Sequence, residues 1–279
     1  MPTHEPHHAE IVPTIRMASV TAADSPPEPD ATEDYHEASR IYARITDPHV
    51  VGAARLERSL EMRITASRSV KRYPQQPFVS LPRADLGSAT LAHAVAARRS
   101  RRSFAARPLD LGLLATLLGT GYGVTGTVEG TSQALRTVPS GGALYPLELY
   151  VVSHRVEGLE LALYHYDPLR HGLELLAPLD APIGGELSPY GTPLADSAAV
   201  VAMTAMFWRS RFKYGARAYR FALMEAGHVA QNLLLAAVAL DLDAVPLGGF
   251  YDRNVDACLG VDGIFEATLY LVPVGYGVP

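Results

Sequence analysis

The chain has 279 residues, 48% of them hydrophobic and 19% charged, with a formal net charge of -5. That gives a sizeable core in one large or two small domains, and the acidic balance argues against a nucleic-acid footprint. The single cysteine, Cys258, excludes an internal disulfide framework and a cysteine-rich zinc site.

Residues 1–33 are dominated by Pro, His, Asp and Glu with no apolar period, which predicts a disordered tail. His4, His7 and His8 fall there and read as part of a solvated tail, so no metal is expected. From Asp34 the pattern turns helical, with Tyr35, Ala38, Ile41, Tyr42 and Ile45 on one face. A second helix is expected over 50–62, followed by an extended, proline-bounded linker at 74–82. Residues 34–82 are therefore expected to form a helical N-terminal appendage, and 83–279 the main domain.

That domain opens with predicted helices over 89–99 and 109–118. The first runs into a basic cluster, RRSRRSF, at 98–104. Gly121, Gly123 and Gly126 match G-x-G-x-x-G, but they follow a helix rather than a strand. We therefore read them as a helix C-cap and loop, not a dinucleotide site. A loop holding Pro139, Ser140, Gly141 and Gly142 feeds a strand at 147–152. Residues 161–167 and 172–179 read as a hairpin, 197–207 as a buried strand, and 218–240 as the longest helix, apolar nearly all round after Val229. A short strand and glycine turn follow at 243–252, then a short helix at 255–259 and a last strand at 266–275. Apolar runs are broken by polar groups, as at Gln231 and Asn232, so no transmembrane helix is expected. The first residues carry Glu5 and Glu10 and no apolar stretch, so no secretory signal is expected and the cytoplasm is the expected compartment. Helices and strands mix without a strict βαβ rhythm, which predicts an α+β fold.

Three groups of residues have the makings of a site. Arg98, Arg99, Ser100, Arg101 and Arg102 offer guanidinium forks and a hydroxyl suited to phosphate. The Ser140–Gly142 turn lets backbone N–H groups approach a ligand closely, with no Cβ at the glycines. Glu225, His228 and Asn232 share a face of a helix expected to be buried, with Gln231 beside them, and need partners there. We read those partners as backbone groups of nearby loops.

The order RRSRRSF, then PSGGALYP, then a long Ala/Leu helix running into LDAVPLGGF resembles the nitroreductase superfamily of FMN enzymes. RTVPSGGALYPLELY, GLELALYHYDP and FKYGARAYRFALMEAGHVAQNLLLAA resemble its SagB-type dehydrogenase branch, the azoline oxidases of ribosomal and nonribosomal peptide pathways. The resemblance spans roughly residues 85–275. It implies a nitroreductase-like fold, with a central, mostly antiparallel sheet flanked by helices, in a domain-wrapped homodimer with FMN at the interface. It implies that Arg98, Arg99, Ser100 and Arg102 grip the FMN phosphate. Pro139, Ser140 and Gly141 of the facing subunit would touch the isoalloxazine, and Pro246, Leu247, Gly248 and Gly249 would present a backbone N–H to flavin N5. The chain lacks a basic residue after Arg253, so the 98–102 run, with Arg136, is expected to neutralise the phosphate. Ala143 stands where many relatives carry an amide.

The resemblance also implies a catalytic role for Lys213 and Tyr214. Oxidising a thiazoline or oxazoline to an azole removes a hydride and a proton from adjacent carbons. FMN takes the hydride, and a tyrosine beside an ammonium, or a desolvated lysine, is a workable base for the proton. The implied enzyme is an FMN-dependent azoline dehydrogenase/oxidase of natural product biosynthesis. Its substrate is peptide- or carrier-bound, O2 reoxidises the flavin, and a cyclodehydratase or synthetase is a further partner. The alternatives are an NAD(P)H-dependent nitroreductase or quinone reductase, and a non-catalytic flavin-binding subunit of a cyclodehydratase complex.

Overall fold

The computed structural model describes residues 31–40, 52, 58–59, 70–131, 133–189 and 191–278. Most of the expected helix over 50–62, and the tail before residue 31, lie outside the described residues. The chain divides into two units, 1–40 and 41–279. In the first, helix α1 (Ala31–Ala38) starts three residues ahead of the expected position and is exposed along most of its length.

The second unit is built on a seven-stranded sheet. Its strands are β1 (Phe78–Ser80), β4 (Leu147–Ser153), β5 (Ala162–Asp167), β6 (Gly172–Pro178), β7 (Ala199–Met206), β8 (Asp243–Ala244) and β9 (Glu266–Gly275). Their order is β1-β6-β5-β4-β7-β9-β8, and every neighbouring pair is antiparallel. β2 (Val124–Thr127) and β3 (Ala134–Arg136) form a separate ribbon. The fold is thus α+β with a mostly antiparallel sheet, as expected.

Two expectations need correcting. The proline-bounded segment at 74–82 is extended, but Phe78–Ser80 pairs with β6 as an edge strand instead of linking domains. Its prolines, Pro77 and Pro82, flank the paired residues, so none of the three lacks a ladder N–H. The glycines at 121–126 do begin with a helix end, since α3 (Leu111–Tyr122) is capped at Gly123, but a strand rather than a loop follows.

Strand period two explains why β4 is buried along its whole length: both of its faces are covered. Leu147, Leu149 and Val151 face α3 and the long helix α6 (Arg217–Ala239), together with Leu114, Leu118, Val229 and Leu233. Tyr150 and Val152 face the opposite layer, with Leu194 of α4 (Gly191–Asp196) and Val255 and Leu259 of α7 (Asp252–Leu259). α6 passes the length and composition test for a membrane span, yet half of its apolar window is buried against the sheet and α3. Helix α2 (Leu91–Ala97) precedes the basic run, and α5 (Trp208–Tyr214) lies between β7 and α6.

Candidate functional site

Backbone strain marks the centre of the site. In the loop after β3, Gly142 has φ 66°, Ala143 52° and Tyr145 44°. Left-handed backbone at a buried aromatic residue persists only where neighbours over-determine it. At Tyr145 they do. Its N–H donates to Ser140 Oγ at 2.9 Å, and its phenol oxygen accepts from the Arg136 N–H at 3.0 Å. Gln133 Nε2 donates to the Ala143 carbonyl at 2.7 Å.

Lys213 and Tyr214 meet this loop. A Cβ on Gly142 would lie 2.6 Å from Tyr214 Oη and 2.7 Å from Lys213 Nζ, so both polar tips converge on a residue without a side chain. Lys213 Nζ lies 5.1 Å from the Tyr214 ring centroid, and the Tyr214 ring sits edge-on to Phe221 at 4.9 Å. Phe221 also closes over Gly141, where a Cβ would approach its ring to 3.0 Å. α5 ends at Gly215 with φ 53°, which terminates the helix just after the pair.

The helix carrying the pair is pinned through a buried charge network. Arg209, one turn before Lys213, bonds Glu148 of β4 at 2.5 Å. Glu148 and Glu174 hold the two ring nitrogens of His165 at 2.8 and 2.9 Å, and Arg170 closes the far end on Glu174. Burial opposes the Glu148 charge, but Arg209 and His165 outweigh it and hold the carboxyl at about 2. Burial likewise opposes the His165 charge, and the two carboxylates raise its pKa. The segment over this face joins in: the Lys71 N–H donates to Glu148, and Lys71 Nζ bonds Tyr150 and Glu266 at 2.9 and 2.8 Å. None of these residues was singled out from the sequence. The available signal was a charged residue, Glu148, near the start of a strand buried on both faces, which must be paired.

Behind the loop lies a second cluster. Glu225 of α6 is 2% exposed and accepts from the Tyr122 hydroxyl at 2.6 Å. The Arg136 guanidinium lies over the Tyr122 ring at 4.0 Å and near Tyr145 at 4.9 Å. Burial pushes Glu225 up to about 7 against the pull of Ser140, Tyr122, Arg136 and Arg209. The polar triad on α6 therefore splits. Asn232 Nδ2 reaches the Thr120 carbonyl at 3.3 Å, a backbone partner in the last turn of α3 where a loop was expected, whereas Glu225 faces side chains and His228 and Gln231 are exposed. Arg136, expected beside the basic run, is instead buried in this cluster, where its charge offsets those of Glu225 and Glu148.

The remaining site residues form another group. Arg98 caps α2; Arg99, Ser100 and Arg102 are exposed in the loop after it. Arg99 folds back on the Ala96 and Arg98 carbonyls. It lines, with Arg101, His93, Asp241 and Asp243, a cleft of about 290 Å³ whose carboxylates offset part of its charge. The Arg101 N–H donates to the Ala244 carbonyl at 3.2 Å, which ties the basic run to β8 and so to the Pro246–Gly249 turn that follows. In that turn the Leu247 N–H is already bonded to the Leu271 carbonyl at 2.8 Å. The Gly248 and Gly249 N–H groups have no acceptor among the described residues, and a Cβ on Gly248 would meet nothing closer than 3.8 Å. Ser188 Oγ steadies the turn by donating to the Gly249 carbonyl at 2.6 Å.

A model of the nitroreductase family matches residues 95–276. The chain is 37% identical over 200 residues to the nitroreductase-type protein MJ1384 of Methanocaldococcus jannaschii, covering 71% of this chain and 95% of that one. It is 33% identical over 137 residues to the microcin B17-processing protein McbC of Escherichia coli, covering 46% of this chain and 49% of McbC. Among solved structures it is similar to a nitroreductase-type protein of Anabaena variabilis, with TM-score 0.69, 26% identity, and coverage of 92% of this chain and 49% of that one. The Escherichia coli microcin synthetase McbBCD complex shares the fold at TM-score 0.55 and 24% identity, over 88% of this chain and 87% of the matched one. The chain thus spans about half the length of McbC and of the Anabaena protein.

Proposed function

From the premise that this chain belongs to the nitroreductase family, we propose that it is an FMN-dependent dehydrogenase that oxidises a thiazoline- or oxazoline-type ring in a peptide or carrier-bound intermediate. The single observation that carries this reading is the convergence of Lys213 Nζ and Tyr214 Oη on Gly142. A base pair held against a glycine surface is suited to a flat ring whose C–H bond must be broken.

The residues present fit the cofactor. Gly248 and Gly249 offer backbone donors not used within the described protein, Gly248 beside open space, and the half-buried Arg98 and the exposed Ser100 and Arg102 offer donors for a phosphate, with Arg99 beside them. Because the Leu247 N–H is occupied, the donor toward flavin N5 falls to one of the two glycines. Pro139, Ser140 and Gly141 would border the ring system. When bound, FMN supplies a hydride acceptor that O2 regenerates. Either Lys213 or Tyr214 would receive the single proton from the carbon next to the one that gives up the hydride, leaving a C=C bond between them. Arg209 and Glu148 keep α5 in register for that transfer.

Two copies of the chain would complete the site, with loop 139–141 of one facing the 98–102 run of the other. The exposed apolar residues Tyr219, Leu223 and Met224 on α6 support such a pairing. The relationship to McbC, and the printed description of its synthetase complex, support a processing partner for this chain as well.

Lys213→Ala and Tyr214→Phe are expected to retain bound flavin and to slow its anaerobic bleaching by a thiazoline-containing peptide by about 10²-fold or more. Unchanged bleaching in both variants removes the pair as proton acceptor. The match to MJ1384 over nearly its whole length favours a second reading, a reductase fed by NAD(P)H. Rapid bleaching of the flavin by NADPH in stopped flow selects that reading instead.

A further inference from the structure

We propose that Gly52 is a positioning residue for the Lys213–Tyr214 pair: it seats bare backbone against the end of α5 and so sets how far Lys213 Nζ reaches toward Gly142. The catalytic consequence rests on the reading of Lys213 given above.

Gly52 is helical and buried. Its φ is not positive, so no left-handed backbone calls for glycine there, and glycine weakens a helix relative to alanine. The reason for it lies across the contact. A Cβ on Gly52 would stand 2.4 Å from the Lys213 carbonyl oxygen, 2.7 Å from Lys213 Cα and 2.8 Å from the Phe212 carbonyl oxygen. All three are backbone atoms. At Gly142 the crowding atoms are side-chain tips, which a rotation moves aside; at Gly52 only a main-chain displacement of about 1 Å restores ordinary contact. Lys213 is thus bounded at both ends by glycine, its backbone by Gly52 and its ammonium by Gly142.

The start of α5 is held separately. The Lys71 N–H donates to Glu148 at 2.7 Å, the same carboxylate that Arg209 of α5 reaches, and the Tyr73 N–H donates to Glu174 at 3.1 Å. The other end has less to fix it. α5 is seven residues long and runs out at the left-handed Gly215 directly after the pair. A displacement imposed at Gly52 therefore passes to Lys213 in preference to Arg209, which stays on Glu148.

The test reads Lys213 directly. Lys71 and Lys213 are the two lysines of the chain. Reductive 13C-methylation of the whole chain labels both, together with the terminal amine, and Lys213→Arg assigns the signal. In Gly52→Ala the Lys213 methyl signal is expected to shift while the Lys71 signal stays, with bound FMN retained. The limiting rate of anaerobic flavin bleaching by a thiazoline-containing peptide should fall about ten-fold or more, at an unchanged half-saturating peptide concentration. In a Lys213→Ala/Tyr214→Phe background the same substitution should have no further effect, because the groups it displaces are gone. Wild type itself should show a nuclear Overhauser contact between the α protons of Gly52 and Lys213, and its absence overturns the inference without any variant. A Lys213 signal that stays in place in Gly52→Ala, or a bleaching rate that matches that of an active wild type, also overturns it. A wild type that holds FMN but is not bleached by the peptide defeats the azoline reading instead, and the Lys213 signal then decides the positioning alone.

Discussion

Gly142 combines a positive φ with the tips of Lys213 and Tyr214 inside the volume a methyl group would take. These two facts make different demands on a substitution. The left-handed backbone costs an alanine about 1 kcal/mol, whereas the clash falls on the far ends of two flexible side chains and is relieved by moving them. Gly142→Ala is therefore expected to unfold only slightly more easily in urea. It should lose about 10²-fold in turnover, because a displacement of about 1 Å at reacting groups has that effect. A variant that turns over normally would show that the pair's position against the loop is unimportant. The importance of glycine here was legible in the sequence, since Ser-Gly-Gly before a strand signals a close approach. What approaches it was not, because Lys213 lies seventy-one positions further along the chain.

At the scale of the element, α5 carries no capping side chain at its start and is only seven residues long, too short to hold itself in water. Its position depends on Arg209 reaching Glu148, and through Glu148 on His165 and Glu174. Glu148→Gln would leave Arg209 and His165 without their shared counter-charge in a dry layer, and is expected to cost about 3–5 kcal/mol in chemical unfolding. The network also fixes the sign of two pH effects. The raised His165 value gives stability that is complete below its unfolded value near 6.5 and lost as pH rises through the folded value. The lowered Glu148 value gives stability present above 4.5 and lost as pH falls through about 2. His165→Asn should therefore flatten the alkaline limb of a melting-temperature profile; an unchanged limb would exclude His165 as its source. The sequence pattern located β4, β5 and α6 because burial on one or both faces leaves a period in the chain. It did not reveal that Phe78–Ser80 completes the sheet, since three extended residues between prolines leave no such period.

For the whole molecule, the proposed flavin site calls for two copies of the chain. Loop 136–145 with Lys213 and Tyr214 forms one group, and the basic run with the Pro246–Gly249 turn forms the other. The outer face of α6, with Leu223 45% and Met224 52% exposed, is the apolar surface available for a second copy. Leu223→Glu with Met224→Glu is expected to give a folded monomer in light scattering that has lost its flavin absorbance. A dimer that persists and remains yellow would place the interface elsewhere. The sequence by itself determined the α+β class and the buried strands, because each follows from local period or turn chemistry. Tertiary structure alone decided that Arg136 turns inward to Glu225 and away from the basic run, that Leu247 has no N–H to offer, and that a carboxylate–histidine–carboxylate chain pins α5. Those outcomes depend on which distant residues share a low-dielectric space, and no local pattern encodes that.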